Sequence, residues 1–120
     1  MKKRAILYVR VSTDEQADRG YSLRDQEERL IKYCELMSIE VAATYREDHS
    51  AKDFNRPQYK KLYEFAKSHK NEIDLLLVVK WDRFSRNAPD SYEVIKNFDK
   101  LGIEIQAIEQ PAFIEKNRLR

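Results

Sequence analysis

The sequence predicts an α/β domain built on a mostly parallel sheet of four to five strands, with helices on both faces. Three observations carry this prediction. Short, nearly unbroken apolar runs occur at residues 5–11 and 75–79, the pattern of strands buried on both faces. Stretches with helical apolar spacing stand between the runs. The two kinds of segment alternate along the chain, the order that a parallel sheet with crossover helices requires.

The first strand covers residues 4–11 and is apolar except for Arg10. A polar segment follows, and "SLRDQEERLIKYCELM" reads as the first helix. Ser22 suits its cap, Asp25 stands three residues on, and Leu30, Cys34 and Met37 share a face. "EVAATY" is the second strand and "REDHSAKDFNRP" a polar loop. "PQYKKLYEFAKSH" is the second helix, with Pro57 suited to its first turn and Tyr59, Leu62, Tyr63 and Ala66 facing inward. "DLLLVVKW" is the third strand. Asn87 and Pro89 open the third helix, Val94, Ile95, Phe98 and Leu101 form its apolar face, and Gly102 ends it. "IEIQAI" is the fourth strand.

The chain of 120 residues is long enough for one domain with its own core. With only Gly20 and Gly102, it has no glycine-rich phosphate loop. A net charge of +2 selects no class of partner. The single Cys34 excludes a disulfide framework and a cysteine zinc site, and its helical spacing to Leu30 gives it a structural place. The first apolar run is too short for a membrane span and contains Arg10. Cytoplasmic residence is the expectation.

In open parallel sheets, ligands bind beyond the carboxyl ends of the strands. There the first strand would deliver Arg10, Ser12 and Gln16. The second would deliver His49, Ser50 and Arg56, and the third Lys80, Asp82, Arg83 and Arg86. Arginines distant in sequence thus converge around one serine. Acyl transfer is disfavoured, since the serine lies in "RVSTD" rather than a nucleophile elbow and only His49 and His69 could act as a histidine base. Phosphoryl transfer fits: its transition state spreads negative charge that guanidinium forks can grip. Arginine dominates over carboxylates, so a metal-free reaction is expected, with no metal ligands and no cofactor. Asp82 would orient an arginine or move a proton.

Plainer readings exist for each residue. Ser12 opens "STDE", itself a capping box. Arg83 and Arg86 could form a solvated first turn, Arg56 ordinary loop surface, and Gln26 a solvated helix flank. Trp81 and Phe84 suit packing better than base stacking. Arg10 resists such a reading, because a charge in a two-sided buried strand needs an acid or an anionic ligand. Asp82 is its natural internal partner.

Together "YVRVSTDEQ", "SLRDQ", "NRP" and "WDRFSRN" resemble the catalytic domain of the serine site-specific recombinases, the resolvase and invertase family. The pattern Y-x-R-V-S-T-x-x-Q and the block D-R-x-x-R are both complete and in order, and the resemblance covers essentially the whole chain. It implies that Ser12 is the nucleophile that becomes linked to a 5′ phosphate of DNA. Arg10, Arg83 and Arg86 would be the active-site arginines, with Asp82 and Gln16 beside them. Arg56, Ser50 and Gln26 would contact phosphate or DNA. The segment "ADRGYSLRDQ" is similar to that of large serine recombinases, the phage integrases and mobile-element transposases. The resemblance further implies DNA as partner, a homodimer and tetramer in the full-length protein, and a bacterial or phage source. On this reading residues 1–120 are a single N-terminal catalytic domain. The family's dimerisation helix and DNA-binding domains would lie outside it, leaving the fragment alone inactive in full recombination. Two other functions fit the residues alone: a non-catalytic α/β module, and a metal-free phosphohydrolase of small esters.

Overall fold

A computed structural model of the protein describes residues 2–11, 22–48, 56–81 and 88–109. The order is β1 (Arg4–Val11), α1 (Leu23–Met37), β2 (Glu40–Asp48), α2 (Pro57–Ser68), β3 (Leu75–Val78), α3 (Ala88–Asp99) and β4 (Glu104–Ala107). The described strands form one sheet of four, in the order β2-β1-β3-β4. Each neighbouring pair is parallel. From β1 the chain runs outward to β2, crosses back to β3 on the other side of β1, and continues to β4. The direction of winding therefore reverses between β1 and β3.

Alternation along the strands sorts the core into two layers. Ala5, Leu7 and Val9 of β1 join Leu75, Leu77 and Val79 under Leu30 and Cys34 of α1. Ile6 and Tyr8 join Leu76, Val78, Ile105 and Ala107 under Leu62 and Ala66 of α2 and Phe98 of α3. One helix thus covers one face and two cover the other. Burying a side chain of Leu or Phe size stabilises by about 1.5–3 kcal/mol, so both faces contribute to holding β1 in place.

The helix ends follow local chemistry. The Ser22 hydroxyl accepts the Asp25 N–H at 3.1 Å and caps α1. Ser38 closes α1 in the left-handed region, with φ 57°. Gly102 takes φ 75° after α3, where a side chain would be strained.

Two expectations are corrected. Strand β2 does not end at Tyr45; it runs to Asp48 because Arg46, Glu47 and Asp48 pair with Val9, Arg10 and Val11. Met37 does not join Leu30 and Cys34 in the core. It is the last residue of α1 and stays 58 % exposed.

Candidate active site

The carboxyl ends of β1 and β3 flank the point where the winding reverses, the place where open α/β sheets form a crevice. Pairing between β1 and β3 runs from Ala5↔Leu75 to Leu7↔Leu77. Pairing between β1 and β2 continues to Val11↔Asp48. So Arg10 is held by β2 on one side, while the ladder to β3 has already stopped.

Gln26 of α1 takes over at that point. Its Nε2 donates to the Arg10 carbonyl at 2.9 Å, and its Oε1 accepts the Arg10 N–H at 3.4 Å. Both residues are fully buried. A glutamine side chain carries one donor group and one acceptor, and here it stands in for a strand edge. The plainer sequence reading of Gln26 as solvated is overturned. Its amide is turned to the strand backbone.

The Arg10 side chain shares parity with Ile6 and Tyr8, which places it on the face covered by α2 and α3. Its neighbour in register on β2 is Glu47, also fully buried. Glu47 Oε1 accepts the Tyr8 hydroxyl at 3.1 Å and the Tyr59 N–H at 2.9 Å. Its Oε2 accepts the Gln58 N–H at 3.2 Å. The acid that the structure sets beside Arg10 is thus Glu47, and Asp82, the expected partner, lies outside the described residues. Sequence reasoning missed both Glu47 and Tyr8. The available signal was a charge at Arg10 inside an apolar run, together with the alternation Ala43, Tyr45, Glu47, which continues the strand through a polar stretch.

Arg56 sits at the N-cap of α2 without a capping bond from its own side chain. Pro57 at the first helical position has no N–H, and the next two donors are the ones that Glu47 accepts. The electrostatics agree with this clustering. Burial pushes the Tyr8 hydroxyl far above the usual phenol range, Glu47 raises it further, and Arg56 and Arg10 pull it down. Tyr59 is pushed up to about 12, mainly by burial, with Tyr63 raising and Arg56 lowering it. Both guanidinium groups therefore act on the same small volume at the carboxyl edge.

The first two turns of α1 make two further ties at this edge. Glu27 holds Arg46 of β2 through two bonds, of 2.5 and 2.6 Å. Arg29 reaches Glu109, just past β4, at 2.8 Å.

Ser12, Gln16, Ser50, Asp82, Arg83 and Arg86 lie outside the described residues. The described chain reaches Val11, buried at the end of β1, immediately before Ser12. It also reaches Trp81, packed against the core, immediately before Asp82. Among the described residues, no group of three or more His, Cys, Asp or Glu could hold a metal ion. No described helix is long and apolar enough to cross a membrane.

Comparison with known proteins adds three kinds of likeness. Residues 5–118 match the family described as "Resolvase, N terminal domain". The fold superposes on the N-terminal catalytic domain of TP901-1 integrase with a TM-score of 0.79 and 32 % identity, over 91 % of this chain and 79 % of that one. It superposes on a resolvase family site-specific recombinase from Streptococcus pneumoniae with a TM-score of 0.78 and 28 % identity, over 92 % of this chain and 74 % of the other. A curated relative, uncharacterized immunity region protein 3 of Bacillus phage phi105, is 46 % identical over 56 residues, which is 46 % of this chain and 68 % of that protein.

Proposed function

The chain belongs to the resolvase N-terminal domain family, and from that premise we propose that it is a serine recombinase catalytic domain that cuts and rejoins DNA through a covalent phosphoserine. The Ser12 oxygen attacks a DNA phosphorus. A bond forms between that oxygen and the 5′ phosphate, and the bond to the 3′ oxygen breaks. The serine loses its proton and the departing 3′ oxygen gains one. Rejoining reverses each change, so no external energy source enters.

The observation that carries this reading is Arg10. A fully buried guanidinium-bearing residue stands two positions before Ser12 at the switch point of the sheet, with its main chain fixed by Gln26. With the backbone so held, the side chain starts from a fixed point, and a pre-organised donor needs no reorganisation as charge develops. Arg83 and Arg86 would share the nonbridging oxygens with Arg10, and forked donors suit that geometry. Asp82 would orient one of them, Gln16 would bond the serine or phosphate, and Arg56 and Ser50 would approach the DNA backbone. The reaction is proposed to run without metal or cofactor, in the cytoplasm, within a dimer that pairs into a tetramer in the full-length protein.

Covalent capture tests this. The protein is incubated with a pool of nicked duplexes whose cleaved strand cannot religate, with and without EDTA, and adducts are mapped by mass spectrometry. The expected result is DNA on Ser12 that is insensitive to EDTA and lost in Ser12→Ala. An adduct that survives Ser12→Ala would overturn the nucleophile. Turnover of small phosphate esters with no DNA adduct would favour the phosphohydrolase.

A further inference from the structure

We propose that Glu47 is a positioning residue, a buried carboxylate that ties the N-terminus of α2, and with it Arg56, to the strand end bearing Arg10. Three observations combine. Glu47 stands beside Arg10 in strand register. It accepts both amide donors that follow Pro57 in the first turn of α2. It also accepts the hydroxyl of Tyr8, two residues before Arg10 on the same face of β1.

The cap of a helix ordinarily comes from the residue just before it. Here that residue is Arg56, which offers no acceptor side chain. The acceptor comes instead from a strand eleven and twelve residues earlier in sequence than the amides it meets. A helix capped by its own N-cap residue is free to shift as a unit. One capped by a neighbouring strand cannot shift without breaking bonds in a buried site, where each lost partner is costly. The negative carboxylate also complements the positive end of the helix dipole. Arg56 is thereby held at a fixed offset from Arg10. Tyr8 closes the arrangement, because its phenol bonds the same oxygen as Tyr59 and its ring packs edge-on to Tyr59 with centroids 6.1 Å apart.

The catalytic consequence rests on the recombinase reading; the clamp itself does not. Two measurements therefore run side by side on the protein and on Glu47→Gln and Tyr8→Phe. Glutamine keeps the size of the side chain but sets an NH2 group against an amide donor. Phenylalanine removes the hydroxyl that bonds Glu47 and keeps the ring, which makes it the milder variant should Glu47→Gln not fold.

The first measurement is amide hydrogen exchange. Gln58 and Tyr59 should exchange about tenfold faster or more in Glu47→Gln, with a smaller rise in Tyr8→Phe, while Leu76 and Leu77 in β3 keep their protection. Unchanged exchange at Gln58 and Tyr59 in both variants would overturn the clamp. The second is the single-turnover rate of Ser12 adduct formation at saturating DNA, at a temperature where each variant is folded. The rate should fall by roughly tenfold to a hundredfold in Glu47→Gln, with DNA affinity nearly unchanged, since small displacements of reacting groups cost that much. A folded Glu47→Gln variant that cleaves at the wild-type rate would overturn the positioning role. A wild-type protein that forms no adduct would overturn the recombinase reading alone, and the exchange result would still decide the clamp.

Discussion

The side-chain amide of Gln26 closes both hydrogen-bonding groups of the Arg10 main chain, with Nε2 on the carbonyl at 2.9 Å and Oε1 on the N–H at 3.4 Å. This substitutes for a third strand where β1 and β3 part. Gln26→Ala would strip a buried donor and a buried acceptor of their partner. A loss of about 2–4 kcal/mol is expected, since each unsatisfied buried group costs roughly 1–3 kcal/mol. Urea unfolding followed by circular dichroism would measure it. A change below about 0.5 kcal/mol, the size typical of ordinary surface substitutions, would show that water or another group replaces the amide.

Tyr8, fully buried, and Tyr59, partly buried, set the alkaline limit of the fold. Burial pushes Tyr59 up to about 12 and Tyr8 higher still. A phenol raised above its unfolded value of about 10 keeps its proton longer in the folded state. Its contribution is fully present below pH 10 and is lost as pH rises from there toward the folded value. Stability should therefore be flat in this respect through neutral pH and fall steadily above about pH 10. Thermal unfolding at stepped pH would show it, and Tyr8→Phe should flatten the fall. An equal decline in that variant would remove Tyr8 as its source.

The pair of Glu27 and Arg46 makes two short bonds yet is partly solvated, with side chains 21 % and 53 % exposed. Exposed ion pairs contribute little, because solvent screens them and two long side chains must be ordered. A double-mutant cycle with Glu27→Ala and Arg46→Ala should give a coupling of about 0.5–1 kcal/mol, smaller in 1 M salt. A coupling above about 3 kcal/mol would place the pair among desolvated bridges.

Cys34 lies under β1 in the layer covered by α1, and burial pushes its thiol up. Both effects suppress the thiolate that reacts. Labelling by an aromatic disulfide reagent should therefore be slow in the native protein and accelerate in step with unfolding as urea is added. Fast labelling without urea would show that α1 opens locally.

How much of this was legible in the sequence depends on where burial leaves a mark. The first strand was read to its true ends because its run is apolar and two-sided. The start of α1 was read from Ser22, and that of α2 from Pro57, because capping and proline chemistry are local. The end of β2 was not. An edge strand shows half its surface to solvent, so Arg46, Glu47 and Asp48 look like loop residues. Their strand character comes from pairing with Val9, Arg10 and Val11, a tertiary fact. Gln26 was hidden for a related reason: nothing in a helix sequence says which polar residue will meet an unsatisfied strand end. The need for a partner at Arg10 was visible, but that Glu47 stands next to it in the sheet required the register.

Two described segments, the end of β1 and the start of α1, are tied directly to each other. On one side Val11 is locked in the sheet, and on the other Ser22 caps α1 while Gln26 grips Arg10. The strand end and the second turn of the helix are thus joined through one buried amide, so any displacement of α1 would pull on the main chain of Arg10.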